Sequence, residues 1–308
     1  MGGKKKEIPP LSLLHRIEIP AGDGHFSCLA GGPELGRAPL VHLAHATGMN
    51  AETYRALLEV LAERYTVRAV DLRGHGLSTV PAQASRLKSW ARYVHDLVPI
   101  LQGFGQKAIL VGHSMGGAVS AELAALHPEL AAGLLLIDPA VVPRVAAPAF
   151  ALARLAGLSH RLPLAERASK RKDVWPSRAV MVKAYGGKGA FKTWGPGFLE
   201  AYVEGGTFDN PDGSVRLSCS PAWEAKTFST IGLSFWRRVA RVKCPVSVLY
   251  AEHQSTLGAK GAAALQALQP KAAIARVPGS SHFIPMEFPA AVIEAIDALR
   301  ARVATESA

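Results

Sequence analysis

The sequence predicts an α/β protein in which a mostly parallel sheet of eight strands is flanked by helices. Short apolar segments of strand length alternate with longer segments whose apolar residues recur at helical spacing. There is no internal repeat and no low-complexity tract. Alternation of this kind is typical of a parallel sheet covered by helices on both faces.

The first half of the chain supplies six of the predicted strands. Alternating apolar residues on either side of the turn at 21–24 predict an opening hairpin. Apolar residues at helical spacing, such as Leu57 and Leu61, predict a helix after the third strand, and Pro128 ends the helix after the fifth. The predicted strands are 14–19, 25–29, 40–44, 65–71, 108–111 and 134–138, and the predicted helices are 51–64, 87–101 and 115–126.

The alternation stops after the sixth strand and resumes about one hundred residues later. The interrupting segment is richer in Trp, Pro, Gly and charge, and it is too long for a plain loop. We therefore predict a helical cap at 139–242, inserted between strands six and seven of a core formed by 11–138 and 243–304. The resumed elements are the strands 246–250 and 273–277 and the helices 259–268 and 289–303.

Composition places the chain among ordinary soluble globular proteins, with 49% hydrophobic and 19% charged residues. No apolar run reaches the roughly 18 residues of a spanning helix, so no stable membrane insertion is expected. The polar, basic start of the chain lacks the apolar core of a secretory signal. Cys28, Cys219 and Cys244 are widely spaced and odd in number, which suits a reducing compartment. We expect a cytoplasmic protein.

The formal charge of +11 is the strongest deviation in composition. The basic residues are scattered, apart from the clusters 4–6 and 170–172, and neither cluster lies in a nucleic-acid-binding motif. The charge therefore indicates solubility or attraction of anionic substrates, and no nucleic-acid partner is predicted.

A Gly-x-Ser-x-Gly motif at 112–116 follows an apolar strand and opens an apolar helix. A serine at such a sharp turn exposes its hydroxyl, and side chains at Gly112 or Gly116 would collide with the neighbouring strand and helix. The turn also directs the N–H of Met115 and the helix N-terminus towards developing negative charge. These features predict Ser114 as a nucleophile.

Three segments of the chain resemble the α/β-hydrolase superfamily. The segment 112–117 is similar to its nucleophile elbow, 71–78 to its turn after the fourth strand, and 279–283 to its catalytic histidine loop. The resemblance implies an α/β-hydrolase fold, a serine nucleophile and no metal or organic cofactor. Several pieces of the cap also resemble a poorly characterised group of bacterial and fungal hydrolases, which implies no substrate.

The resemblance assigns the remaining groups of an acyl-transfer site. His282 follows the last strand and precedes the last helix, where this fold carries the general base. The oxyanion donors are expected to be the N–H groups of Met115 and Thr47. Ala46 stands where glycine is usual, so the donor from this loop is either Thr47 or Ala46.

The acid of the expected triad is ambiguous in the sequence. Its usual place after the seventh strand holds Gln254, a neutral amide that cannot stabilise an imidazolium ion by charge. Asp138 follows the sixth strand, where the haloalkane-dehalogenase branch of the superfamily carries its acid, and we favour it. The alternatives are Glu252 and a site without an acid.

Together these features predict a serine hydrolase that acts on a small-molecule carboxylic ester, with lactones and thioesters as further possibilities. A C–C bond hydrolase or lyase using the same triad, and a ligand receptor without catalysis, are alternatives. Aromatic residues of the cap are candidates for the pocket lining or for cap packing: Trp175, Tyr185, Phe191, Trp194, Phe198 and Tyr202.

Overall fold

A computed structural model describes residues 12–307, so the basic cluster 4–6 and residue 11 lie outside the described residues. The strands are β1 (Leu14–Pro20), β2 (His25–Gly31), β3 (Leu40–Ala44), β4 (Thr66–Val70), β5 (Ala108–His113), β6 (Ala131–Ile137), β7 (Val174–Trp175), β8 (Thr207–Asp209), β9 (Val215–Leu217), β10 (Val246–Ala251) and β11 (Ala273–Val277). Eight of them form one sheet in the order β1-β2-β4-β3-β5-β6-β10-β11. The predicted mostly parallel eight-stranded sheet is confirmed.

Only one end of this sheet is antiparallel. Strand β2 runs antiparallel to both of its neighbours, β1 and β4. From β4 to β11 every adjacent pair is parallel. The carboxyl ends of the parallel strands therefore meet at one edge, where α/β sheets usually hold their ligands.

Helices cover both faces of the sheet. The α-helices in the described part of the chain are α1 (Arg55–Ala62), α2 (Ala91–Gly103), α3 (Met115–Leu126), α4 (Ala147–Leu155), α5 (Pro163–Ser169), α6 (Arg178–Tyr185), α7 (Phe198–Gly205), α8 (Pro221–Ser229), α9 (Phe235–Val239), α10 (Gly258–Leu268), α11 (Ile284–Glu287) and α12 (Pro289–Ser307). Helices α1 and α12 pack with one face of the sheet, and α2, α3 and α10 pack with the other. Each face has its own buried apolar cluster.

Of the five predicted helices, α3 has the predicted bounds and the other four differ. Helix α10 begins one residue earlier than predicted, and α12 ends four residues later. The segment 51–64 is a 3-10 turn, Ala51–Tyr54, followed by α1, and the side chain of Asn50 caps the turn by accepting from the N–H of Thr53. Helix α2 begins four residues later than predicted, because Leu87 has an extended backbone after a preceding 3-10 turn.

The segment 139–242 lies between β6 and β10, as predicted, and contains α4 to α9. It also contains a second, antiparallel sheet in the order β7-β9-β8, which the expectation of a helical cap missed. Strands of two or three residues are too short to show a period of two in the sequence. In the described part of the chain, no helix is both long and apolar enough to cross a membrane.

Attachment to the core differs along this segment. The indole N–H of Trp90 donates to the carbonyl of Thr227 in α8 at 2.8 Å, and the Tyr93 and Thr227 hydroxyls lie 2.9 Å apart. Asn50 donates to the carbonyl of Tyr202 in α7 at 3.0 Å. By contrast α4, which lies wholly within the described residues, has no buried side chain. Helices α7 and α8 are therefore fastened to the core, and α4 is not.

Helix α3 starts very close to the sheet, and two glycines make this possible. A Cβ atom at Gly116 would lie 2.0 Å from the carbonyl oxygen of Ala44 in β3. A Cβ atom at Gly112 would lie 2.3 Å from the carbonyl oxygen of Gly116. The predicted collisions at both positions are confirmed, because backbone atoms at these distances cannot move aside.

We expect Gly116→Ala to lower the free energy of unfolding by about 1–3 kcal/mol, the cost typical of forced overpacking. Urea denaturation measures it. The matched control is Gly103→Ala at the end of α2, where a Cβ atom would meet nothing within 4 Å. That control should stay within about 1 kcal/mol of wild type. Equal stability of the two variants would contradict the close approach at Gly116.

Candidate active site

Ser114 lies at the turn between β5 and α3 with φ 55° and ψ −116°, a conformation that L residues rarely adopt. Among the described residues, only two other non-glycine residues have positive φ, Asp138 at 40° and Gln254 at 54°. These three strained positions follow β5, β6 and β10, neighbouring strands whose carboxyl ends meet. Strain of this kind concentrates at functional sites.

The structure brings Ser114, His282 and Asp138 together, although 168 residues separate Ser114 from His282. The Nε2 atom of His282 lies 2.9 Å from the Oγ atom of Ser114. Its Nδ1 atom lies 2.5 Å from Oδ2 of Asp138. An ionised carboxylate only accepts, so Nδ1 carries the proton and Nε2 is free to accept the serine hydroxyl proton.

Asp138 has no exposed surface, and donors from two loops surround its carboxylate. Its Oδ1 accepts from the N–H of Ala251 at 3.2 Å and from the hydroxyl of Ser255. Its Oδ2 accepts from the N–H of Thr256 at 2.9 Å and from His282. A buried carboxylate needs such partners to remain ionised.

Burial alone would raise the pKa of Asp138, but hydrogen bonding and charge from His282, with further donors at Ser255 and Thr256, lower it below its usual value. The carboxylate is therefore ionised at neutral pH. Because the pKa in the folded state is lowered, the stabilisation is present above the ordinary aspartate pKa and is lost as the pH falls through the lowered value.

Neither of the two other polar candidates hydrogen-bonds to His282 in the described part of the chain. Glu252 accepts from the N–H of Gly279 at 2.6 Å and forms an ion pair with Arg276 at 3.3 Å. Gln254 lines the cavity next to Ser114. Asp138 is thus the carboxylate that the structure places on the histidine.

The N–H groups of Thr47 and Met115 make no hydrogen bond to any residue in the described part of the chain. The N–H of Ala46, in contrast, donates to the hydroxyl of Tyr54 at 3.1 Å. The N–H of Ala46 therefore already has an acceptor. Thr47 lines the cavity beside Ser114, and its N–H is the one of the two that is available to a ligand.

A buried chain of hydrogen bonds links this loop to the histidine loop. Burial lowers the pKa of His113 to about 3, so its ring is neutral and carries one N–H. The carbonyl of His282, 2.8 Å from Nε2, can only accept, so Nε2 carries the proton. Nδ1 then accepts from the hydroxyl of Tyr54 at 2.8 Å, and the Tyr54 oxygen accepts from Ala46. The chain ties both loops to the end of β5.

A cavity of about 990 Å³ opens above Ser114, and its walls are mostly apolar. The stacked rings of Tyr185 and Phe191, 4.9 Å apart, form part of the wall. Of the six aromatic candidates of the cap, Phe198 is buried in the core instead. The other five line the cavity: Trp175, Tyr185, Phe191, Trp194 and Tyr202.

One polar cluster interrupts the apolar wall. The Nη1 atom of Arg171 lies 2.5 Å from Oε2 of Glu224, and its Nη2 donates to the hydroxyl of Tyr202 at 2.7 Å. A Cβ atom at Gly48, in the loop of Thr47, would lie 2.5 Å from the other oxygen of Glu224. A glycine here makes room for a charge-balanced pair beside the loop of Thr47.

Four features of the site were not predicted from the sequence: Tyr54, Ser255, Thr256 and the Arg171–Glu224 pair. Tyr54 has the helical spacing of an ordinary core residue, so its hydroxyl gave no signal. The two hydroxyl residues follow Gln254 directly, and their position after the seventh strand of the sheet was the available clue.

A sequence model of the α/β hydrolase family matches residues 40–295, which is most of the chain. The chain therefore belongs to the α/β hydrolase family. Its relatives and structural neighbours include esterases and other hydrolases.

Individual relatives extend the comparison over nearly the whole chain. A 2-(acetamidomethylene)succinate hydrolase from Mesorhizobium japonicum is 27% identical over 263 residues, covering 85% of this chain and 88% of the relative. The crystal structure of an E-2-(acetamidomethylene)succinate hydrolase covers 94% of this chain and 99% of its own, with a TM-score of 0.72 and 23% identity. A thioesterase domain from the curacin biosynthetic pathway has a TM-score of 0.72 at 19% identity, covering 91% of this chain and 98% of its own. The two structures support the fold.

Proposed function

We propose that the chain is a serine hydrolase that cleaves carboxylic esters through Ser114, His282 and Asp138. The observation that carries the proposal is the continuous contact from hydroxyl to imidazole to buried carboxylate, at 2.9 Å and 2.5 Å. Its geometry matches that of a nucleophile, a base and an orienting acid. Membership of a hydrolase family supports the reaction class.

In the proposed mechanism, the Oγ atom of Ser114 attacks the ester carbonyl while its proton passes to Nε2 of His282. The developing oxyanion accepts hydrogen bonds from the N–H groups of Met115 and Thr47, and one such donor is worth about 2.7–4 kcal/mol. The tetrahedral intermediate collapses, the C–O bond breaks, and the imidazolium returns its proton to the leaving alkoxide. Ionised Asp138 stabilises the imidazolium throughout.

The acyl-enzyme is then hydrolysed by the reverse use of the same groups. His282 takes a proton from water, the hydroxide attacks the acyl carbon, and Ser114 leaves as its protonated hydroxyl with release of the carboxylic acid. Lactones and thioesters undergo the same steps. The mostly apolar cavity of about 990 Å³ is at the upper end of usual ligand pockets, so it leaves room for an apolar acyl or alcohol group of medium size or larger.

Replacing Ser114 by Ala should abolish hydrolysis of p-nitrophenyl esters and labelling by a fluorophosphonate, while leaving the circular dichroism spectrum unchanged. The hydroxyl contributes almost nothing to packing at the turn, so the fold should survive.

A panel of esters of graded chain length, lactones and β-diketones measures the substrate class. Undiminished turnover in the variant would refute the proposal, and faster cleavage of β-diketones than of esters would indicate a C–C hydrolase. Folded wild-type protein that takes no label would indicate a receptor.

Asp138→Asn should lower kcat steeply, by ~10⁴-fold as in related triads, since the amide favours the wrong histidine tautomer and removes the charge. The matched control is Glu252→Gln, which changes a carboxylate that contacts Gly279 and Arg276 instead. We expect its kcat to stay close to wild type. A larger loss in Glu252→Gln than in Asp138→Asn would reassign the acid.

We also propose that residues 139–242 act as a cap whose first part moves relative to the core. The cap contributes much of the cavity wall, from Ala140 to Ile231. Helix α4 lacks buried side chains, whereas α8 is fastened through Thr227. Segments with few buried contacts open most readily.

Limited trypsin digestion of the folded protein should therefore cut first between Arg144 and Arg161. Mass spectrometry of the early fragments identifies the site, and the basic residues of α9, Arg237 and Arg238, serve as the internal comparison within the same insertion. First cleavage at α9 would contradict a mobile α4.

A further inference from the structure

Helix α4 and its flanking turns carry a group of exposed apolar side chains. Four of the twelve large hydrophobic residues exposed in the described chain fall within 145–158, and we call them the α4 patch: Val145, Leu152, Leu155 and Leu158. Val145 is 93% exposed, Leu155 87% and Leu152 68%. Apolar residues concentrated in this way mark an interaction surface.

The other side of α4 is also apolar. Ala146 and Phe150, one helical turn apart, line the cavity above Ser114. Leu152 and Leu155 are three residues apart and share a face that is exposed. A helix with apolar residues on two sides is normally covered on both, so the exposed side of α4 lacks an occupant.

The charge around the patch is strongly positive. Residues 144–172 contain seven basic residues and one acidic residue, Glu166. Two of the seven are balanced by ion pairs, Lys170 with Glu166 and Arg171 with Glu224, which leaves a net charge of +5. The side chains of Arg144, Arg161 and Arg167 are exposed and form no ion pair with any described residue. The patch therefore combines apolar side chains with unpaired cations.

This combination favours one kind of occupant. A second copy of the chain, docked by a two-fold axis, would bring the same positive segment against itself. An anionic lipid surface instead accepts apolar side chains below its headgroups and attracts Lys and Arg to them. Docking on such a surface needs no membrane-spanning helix.

We propose that residues 144–167 dock the protein onto the surface of an anionic lipid bilayer, with the α4 patch entering the interface. The exposed arginines then lie at the level of the headgroups. Docking would also place the cavity wall formed by Phe150 next to the lipid, so that apolar substrates enter from it. Only this last consequence rests on the proposed function.

The test is co-sedimentation of the full chain with vesicles of phosphatidylcholine alone or mixed with phosphatidylglycerol. We expect binding to the mixed vesicles that weakens as salt is raised, since exposed charges are screened. Leu152→Ser combined with Leu155→Ser should lower the partition coefficient by about tenfold or more. Replacing Arg144, Arg161 and Arg167 by Gln should lower it by about fivefold for each charge removed.

The matched control is Val60→Ser combined with Leu126→Ser, which removes two exposed apolar side chains, 39% and 43% exposed, from α1 and α3. It should bind like wild type. The Ser114→Ala variant should also bind like wild type, which separates docking from catalysis. Equal binding to both kinds of vesicle, or equal loss in the control, overturns the proposal. So does a dimer, or a complex with an acidic protein, that depends on Leu152 and Leu155 while the vesicles stay unbound.

Discussion

The arrangement of the candidate site depends on the hydrogen bonds that the buried carboxylate of Asp138 accepts. A fully buried carboxylate is costly unless its lone pairs are satisfied, and here the donors come from the loops after β10 and β11. Asp138 itself follows β6. Its hydrogen bonds to Ala251, Ser255, Thr256 and His282 therefore hold the carboxyl ends of β6, β10 and β11 together.

This network also accounts for the position of the strained backbone. Ser114, Asp138 and Gln254 have positive φ, and such residues cost of order 1–3 kcal/mol each. Ser255 and Thr256 follow Gln254 directly and donate to the carboxylate. The turn at Gln254 therefore positions these two donors. The loop after β10, where the family resemblance places the acid, here supplies hydrogen-bond donors to a carboxylate that follows the neighbouring strand.

Much of this geometry was predictable from the sequence because the signals are local. The Gly-x-Ser-x-Gly turn and the strands around it need only neighbouring residues, and parallel strands bring their carboxyl ends together wherever they occur in the chain. The amide at Gln254 directed attention to Asp138, and the structure places that carboxylate on His282.

The rest could not be predicted, since it depends on contacts between distant residues. The chain from Ala46 through Tyr54 to His113 joins residues 8 and 59 positions apart, and nothing near Tyr54 distinguishes its hydroxyl from that of a core tyrosine. The pairing of Arg171 with Glu224 spans 53 positions inside a segment without regular alternation. The strands β7 to β9 are too short to show a pattern.

The helices that form the walls of the cavity differ in how firmly they are attached to the core. Thr227 fastens α8 to Trp90 and Tyr93, and Glu224 of the same helix fits against Gly48 in the loop of Thr47. The wall near the reacting atoms is therefore fixed. Helix α4, which forms another part of the wall, has no buried side chain and carries exposed leucines. A cavity with one fixed and one loosely held wall can keep its donors in place while it admits apolar ligands past the other side.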